Sequence, residues 1–109
     1  MKVDLVLKGR GVRITDQIRK SAEHKTAKIG RLEPRVRRME IELTLEHNPR
    51  IIGSHRVEVA CDTDRHVFRA VGSGRDIDTA LDQVIERLER QIARHRGKLR
   101  DRRQAGPMV

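Results

Sequence analysis

Aromatic rings, cysteine and long apolar runs are scarce in this 109-residue chain. Phe68 is the one aromatic residue, with no Trp or Tyr, which excludes a nucleic-acid reader built on stacked aromatic rings, such as an RRM sheet. The single cysteine, Cys61, excludes a disulfide framework and a cysteine-cluster zinc site. No apolar run reaches the ~18 residues of a membrane span, and Asp4 stands where a signal peptide needs its apolar stretch. We therefore expect one small, soluble, cytoplasmic domain without a membrane partner.

Positive charge is abundant and unevenly distributed. The chain has 25 Lys and Arg against 16 Asp and Glu, a formal net charge of +9. Residues 1–85 carry 17 basic and 13 acidic side chains, whereas residues 86–109 carry 8 basic and 3 acidic ones. More than half of the net charge therefore belongs to the last quarter of the chain. Such a concentration is typical of a protein that binds a polyanion, although a merely solvated helix face is the alternative.

Alternation of apolar and polar residues predicts four strands, over 2–8, 37–46, 55–61 and 66–72. Gly9 and Gly11 are expected to end the first strand, and Ser73 and Gly74 the fourth. A turn at 47–50, continuing as a loop through residue 54, is expected to follow the second strand.

Apolar residues at helical spacing predict two helices. The first covers about 15–29, capped by Thr15 or Asp16, with Gly30 just past its end. The second runs for ~25 residues from Ile77, capped by Asp76. The order β-α-β-β-β-α predicts a two-layer α/β domain, in which a four-stranded mixed sheet carries both helices on one face.

The sequence contains no arrangement typical of catalysis or metal binding. The five histidines form no pair at metal-ligand spacing. Glu40, Glu42 and Glu46 share one strand face, but an open sheet face solvates carboxylates, so the pKa shift that acid–base catalysis needs is not expected. Cys61 falls on the apolar side of its strand, and the 72–74 Gly-Ser-Gly segment lacks the lysine of a phosphate-binding loop. We therefore expect neither an enzyme nor a cofactor, metal or small-molecule substrate.

Basic residues of both predicted helices recur three or four positions apart, which places them in rows on the exposed sides of the helices. These residues are Lys20, Lys25, Lys28 and Arg31 on the first helix, and Arg87, Arg90, Arg94 and Lys98 in one row with Arg96, Arg100 and Arg103 in another on the second. Two such helices side by side would form a positively charged plate whose groove suits phosphate backbones, because guanidinium groups bind phosphate bidentately. The alternative is that Glu86 and Glu89 neutralise neighbouring arginines as i,i+4 pairs.

Three segments in this order resemble the ribosome hibernation-promoting factors, a family that includes the ribosome-associated inhibitor once labelled a sigma-54 modulation protein. The segments are the strand-loop-helix entry 9–19, the helix end 25–29, and the long-helix sequences 76–82 and 88–99. The resemblance extends over about residues 2–100. The chain departs from the family pattern at Asp78 and near Ser21, where aromatic residues are usual, and at Thr26, where a larger aliphatic is usual. These departures predict weaker packing of the core.

The resemblance implies the same β-α-β-β-β-α fold and a protein that binds the small ribosomal subunit. It implies contacts to 16S rRNA, coverage of the mRNA path and the A- and P-site tRNA positions, and inhibition of translation in stress or stationary phase. The residues implied to bind rRNA are Lys20, Lys25, Lys28, Arg31, Arg87, Arg90, Arg94, Arg96, Lys98 and Arg100. Residues 1–103 would form the ribosome-binding domain, and 104–109 a disordered tail or the start of a linker.

Several alternatives stay open at this point. The chain could be a general double-stranded RNA or other nucleic-acid binder, or a protein-interaction adaptor whose charge is incidental. It could be a short form of the family or the N-terminal domain of a long form that has a dimerising domain. Whether it joins ribosomes into dimers is equally undecided by the resemblance.

Overall fold

The computed structural model describes residues 3–45 and 55–104, with side chains through residue 97. The elements are β1 (Asp4–Arg10), α1 (Asp16–Leu32), β2 (Arg38–Leu45), β3 (His55–Asp62), β4 (Val67–Gly74) and α2 (Ile77–Gln104). The sheet order is β1-β2-β3-β4, with β1 parallel to β2 and the other neighbours antiparallel. This arrangement confirms the predicted fold class. The predicted turn and loop at 47–54 lie outside the described residues, as do residues 105–109 of the predicted tail. Gln104, expected to begin that tail, is instead the last residue of α2.

The core lies between the sheet and the two helices, and it follows the periodicities of the sequence. In β2 and β3 every second side chain is buried, as the period-2 pattern predicts. The helices contribute apolar rows at intervals of three and four residues. The largest fully buried side chains are Ile29, Met39, Ile41, Leu43, Val57, Val59, Cys61, Leu81, Val84, Leu88 and Ile92.

Three predicted boundaries at glycine are wrong. Strand β1 continues past Gly9 to Arg10, pairing with β2 throughout, and the turn occurs at Gly11, whose φ is +68°. Gly9 instead permits a close approach, because a Cβ there would lie 2.2 Å from the Val12 carbonyl oxygen. Helix α1 passes through Gly30 and ends at Leu32. Strand β4 likewise includes both residues expected to end it.

The helix starts agree with the predicted caps. Thr15 is the N-cap of α1, and its hydroxyl accepts a hydrogen bond from the Ile18 amide at 3.2 Å. At the start of α2, the Thr79 amide donates to Asp76 Oδ1 at 2.7 Å. The hydrogen bonds from Thr79 hold the pKa of Asp76 below its ordinary value, since they favour the ionised carboxylate.

Candidate nucleic-acid interface

Helix α2 lies over β4, which is an edge strand of the sheet. Side chains of α2 form hydrogen bonds with backbone groups of β4 that have no partner strand. Three side chains one turn apart make these contacts: Gln83 Oε1 accepts from the Ser73 amide (2.8 Å), Arg87 Nη1 donates to the Val71 carbonyl, and Gln91 Nε2 donates to the Arg69 carbonyl (2.6 Å). They occupy backbone groups to which another strand could otherwise pair. Arg87, a predicted RNA contact, thus also helps to hold α2 on the sheet.

The flank of α2 that faces away from α1 borders a groove of about 420 Å³ along the β4 edge. Arg69, Arg87, Arg90 and Arg94 line it, and no carboxylate does. Arg90 also pairs with Glu86 at 2.5 Å, which is the i,i+4 pairing considered as the alternative. Arg94 is exposed and has no ion pair among the described residues. We call these four residues the arginine groove.

Arg69 was missed by the sequence analysis. The period-2 pattern of β4 places its side chain outward, but many outward arginines are ordinary surface residues. Because β4 is the edge strand beneath α2, Arg69 borders the groove, and it also lines a pocket on the sheet face together with Glu40, Glu42 and Glu58.

The predicted groove between the two helices is crossed by polar contacts at the start of α2. Lys25, expected on the exposed side of α1, is turned toward α2 with only 18% of its side chain exposed. Its ammonium lies 2.8 Å from Asp82 Oδ1 and 3.6 Å from Asp78 Oδ1, and it donates to the Asp78 carbonyl at 3.1 Å. The predicted exposure of Lys25 is therefore wrong, because acidic residues of α2 draw it into an interhelical bridge.

Two of the three positions expected to depart from the family pattern, Ser21 and Asp78, meet at this same place. Ser21 Oγ donates to Asp78 Oδ1 at 2.6 Å, so a hydrogen bond joins the helices at the positions where the resemblance led us to expect aromatic residues. Thr26 is buried, and its hydroxyl donates to the Ala22 carbonyl at 2.7 Å. The polar groups that the departures introduce are thus satisfied, and the interhelical contact is polar rather than apolar at this end.

The other residues predicted to bind rRNA fall into three groups according to their position on the helices. Lys20, Lys28 and Arg31 are exposed on α1 and form no ion pair within the described part of the chain. Arg96 lies on the flank of α2 nearest α1, where Nη1 donates to the Leu32 carbonyl. Lys98 and Arg100 belong to the last turns of α2, whose side chains lie outside the described residues.

Charges on the opposite face of the sheet are compensated. Lys8 Nζ lies 2.6 Å from Glu40 and Arg10 Nε lies 3.0 Å from Glu42. On β3, Glu58 lies 2.7 Å from an arginine of the same strand. The hydrogen bond and positive charge of Lys8 hold the pKa of Glu40 below its ordinary value. Glu46, the third member of the predicted glutamate row, lies outside the described residues.

Neither Cys61 nor the potential metal ligands lie in surroundings typical of catalysis within the described part of the chain. Cys61 is buried, and burial raises the pKa of its thiol to about 12, so it is a core residue rather than a nucleophile. No group of three or more potential metal ligands occurs within residues 3–45 and 55–104. Over those same ranges, no helix combines the length and apolar character needed to cross a bilayer.

Fold and charge distribution together define a two-layer α/β module with compensated charges on its sheet face and free cations on its helical side. The sequence model of the family described as sigma 54 modulation protein / S30EA ribosomal protein matches residues 5–100, and the chain belongs to this family. This confirms the resemblance drawn from the sequence.

Similar proteins agree with that assignment. The chain is 28% identical over 102 residues to the ribosome hibernation promoting factor of Salmonella typhimurium, covering 90% of this chain and 98% of that one. It is 27% identical over 100 residues to the ribosome hibernation promotion factor of Deinococcus radiodurans, with 92% of this chain covered. The match spans about half, 52%, of that longer relative.

Solved structures share the fold. The N-terminal domain of Thermus thermophilus Protein Y superposes with a TM-score of 0.72 at 27% identity, covering 87% of this chain and 99% of that domain. A ribosomal subunit interface protein from Coxiella burnetii superposes with a TM-score of 0.77 over the same fraction of this chain. At 17% identity, the second likeness concerns the fold alone.

Proposed function

We propose that this chain is a ribosome hibernation factor of the cytoplasm. It binds 16S rRNA of the small ribosomal subunit through its basic helical side, occupies the mRNA path and the A- and P-site tRNA positions, and inhibits translation in stress or stationary phase. The observation that carries this proposal is the segregation of charge between the two faces of the domain. The names of the relatives support the same function.

Segregated charge favours a polyanion over a protein partner. On the sheet face, Glu40, Glu42 and Glu58 each lie within 3.0 Å of a cation, so little net field remains there. On the helical side, Arg94 and the exposed α1 cations Lys20, Lys28 and Arg31 have no such partner among the described residues. Free guanidinium and ammonium groups gain most from phosphates, whose condensed counterions they release on binding.

The rival function, general binding of double-stranded RNA, makes a different prediction about competition. Small subunits are incubated with the protein and pelleted through a sucrose cushion, with duplex RNA in excess as competitor. We expect the protein to remain with the subunits, because their rRNA presents a shaped site in addition to phosphates. Equal competition by generic duplex RNA would contradict the ribosome-specific function.

A charge-matched pair of variants tests which face makes the contact. Arg90→Gln with Arg94→Gln removes two cations from the arginine groove, whereas Arg38→Gln with Arg56→Gln removes two from the sheet face. Losing two phosphate contacts should lower the slope of log affinity against log salt by roughly 1.5. The second pair has the same net charge and should leave the slope nearly unchanged. The reverse result would place the contact on the sheet face.

We propose that the protein acts by occupancy and catalyses no reaction. Inhibition in a purified translation system should then fall as mRNA and initiator tRNA are raised together, because they compete for the same site. If inhibition does not change when mRNA and initiator tRNA are raised, the protein acts at another step of translation. Cleavage of rRNA during the assay would reveal a nuclease activity.

A further inference from the structure

Two histidines stack on one another where β4 begins. The imidazole rings of His66 and His95 have centroids 4.6 Å apart and planes 21° apart. Phe68 contacts both rings edge-on, at 4.4 Å from His66 and 5.3 Å from His95. These three separations form a nearly equilateral triangle, so Phe68 lies beside the stack and not across the outer face of His66. Since Phe68 is buried and His66 exposed, the stack is supported from below and open on one side.

The backbone of His66 is held in place by the turn that precedes β4. The Thr63 amide donates to the His66 carbonyl at 2.9 Å, and the Thr63 hydroxyl donates to the same oxygen at 2.8 Å. The His66 amide in turn donates to Thr63 Oγ1 at 3.0 Å. Three hydrogen bonds thus fix the backbone that carries the exposed ring, which lowers the entropic cost of binding a flat ligand.

The stack lies at one end of the arginine groove. Helix α2 runs antiparallel to β4, and their contacts proceed from Ser73 with Gln83 to Arg69 with Gln91 and then to the His66–His95 stack. A row of guanidinium groups thus leads to an open imidazole face. Cationic grooves that end or continue in stacking rings are the usual design of sites for single-stranded nucleic acid.

We propose that the outer face of His66 receives one unpaired nucleobase of an RNA strand whose phosphates lie along the arginine groove. The inference rests on the proposed function in that the ligand is RNA, and it adds a base-stacking site to the phosphate contacts. Every base presents a π-face, so the site selects unpaired nucleotides and not a particular sequence. His95 and Phe68 position His66 and do not themselves contact the base.

Two oligomers of equal charge distinguish a base site from a phosphate site in the intact chain. Hexa-adenylate and an abasic hexamer of the same ribose-phosphate backbone are titrated into the protein, and the imidazole C–H resonances are followed by NMR. Stacking predicts a distinct upfield shift of the His66 signals with hexa-adenylate only. Equal shifts from both oligomers, or none from either, overturn the proposal.

Substitutions at His66 extend the test to the small subunit. His66→Gln, which keeps polarity but removes the ring, should weaken binding about fivefold, while His66→Phe should restore it and neither should change the salt slope. Unchanged affinity of His66→Gln, alongside the reduced slope of the Arg90 and Arg94 variant, refutes the base site and leaves the proposed function standing. If the wild-type protein does not bind small subunits but hexa-adenylate still shifts the His66 resonances, the proposed function is refuted and the base site stands.

Discussion

The close packing of α2 on β4 depends on a missing side chain at Gly72. A Cβ at this position would lie 2.7 Å from the Ala80 carbonyl oxygen and 2.8 Å from the Val84 amide nitrogen, both backbone atoms of α2. Ordinary contacts begin near 3.4 Å, so the Gly72→Ala variant must shift α2 by roughly 0.7 Å at this point. Because backbone atoms cannot rotate away, the whole helix must move.

The cost of that movement follows from the contacts it disturbs. Overpacking of a tightly packed contact costs about 1–3 kcal/mol. The bonds by which Gln83 and Arg87 hold the β4 edge would also lengthen, adding about 0.5–1 kcal/mol. We therefore expect Gly72→Ala to lower the free energy of unfolding by about 3 kcal/mol. With an m-value of about 1.5 kcal/mol/M, the urea midpoint should fall by about 2 M.

Gly97, within α2, provides the matched control. A Cβ there meets no atom within 4 Å, so alanine adds helix propensity without a clash. Gly97→Ala should raise the free energy of unfolding by about 0.5–1 kcal/mol. Both variants are measured by urea denaturation followed by circular dichroism. A Gly72→Ala midpoint equal to or above the wild-type value would refute the steric argument.

Three further outcomes concern single residues. Lys25→Met should lower the free energy of unfolding by about 1 kcal/mol in urea titrations, because it leaves Asp78 and Asp82 without their interhelical cation; an unchanged value would make the bridge energetically neutral. The Cys61 thiol, with a pKa of about 12, should resist a thiol reagent at pH 8 and react fully in denaturant; fast native labelling would contradict its burial. Folding lowers the pKa of Asp76, so its ionised carboxylate stabilises the fold at pH values above the pKa of the unfolded chain. This contribution is lost as the pH falls through the pKa of the folded chain. Asp76→Asn keeps a capping oxygen that does not titrate, so its free energy of unfolding should fall less steeply than that of the wild type between about pH 5 and 3. An equal slope in both proteins would show that Asp76 does not contribute to the pH dependence.

The sequence by itself determined the elements, because each depends on residues close together in the chain. Period-2 alternation across 37–46 and helical spacing from Ile77 each arise because one side of the element packs against the apolar core. The capping oxygens of Thr15 and Asp76 likewise act within three residues. Charge imbalance and family likeness also required no coordinates, which is why the fold class and family were predicted correctly.

Only the tertiary structure decided what each surface residue faces. Lys25 and Asp78 are more than fifty positions apart, and nothing local indicates that one is drawn toward the other. The arginine groove exists because β4 is the edge strand beneath α2, and the His66–His95 stack because a turn and a distant helix meet. The boundary at Gly9 was wrong for the same reason: glycine in a sequence signals a turn, whereas in the folded chain Gly9 permits a close approach to Val12. Local periodicity selects the elements, and packing between remote segments assigns the role of each side chain.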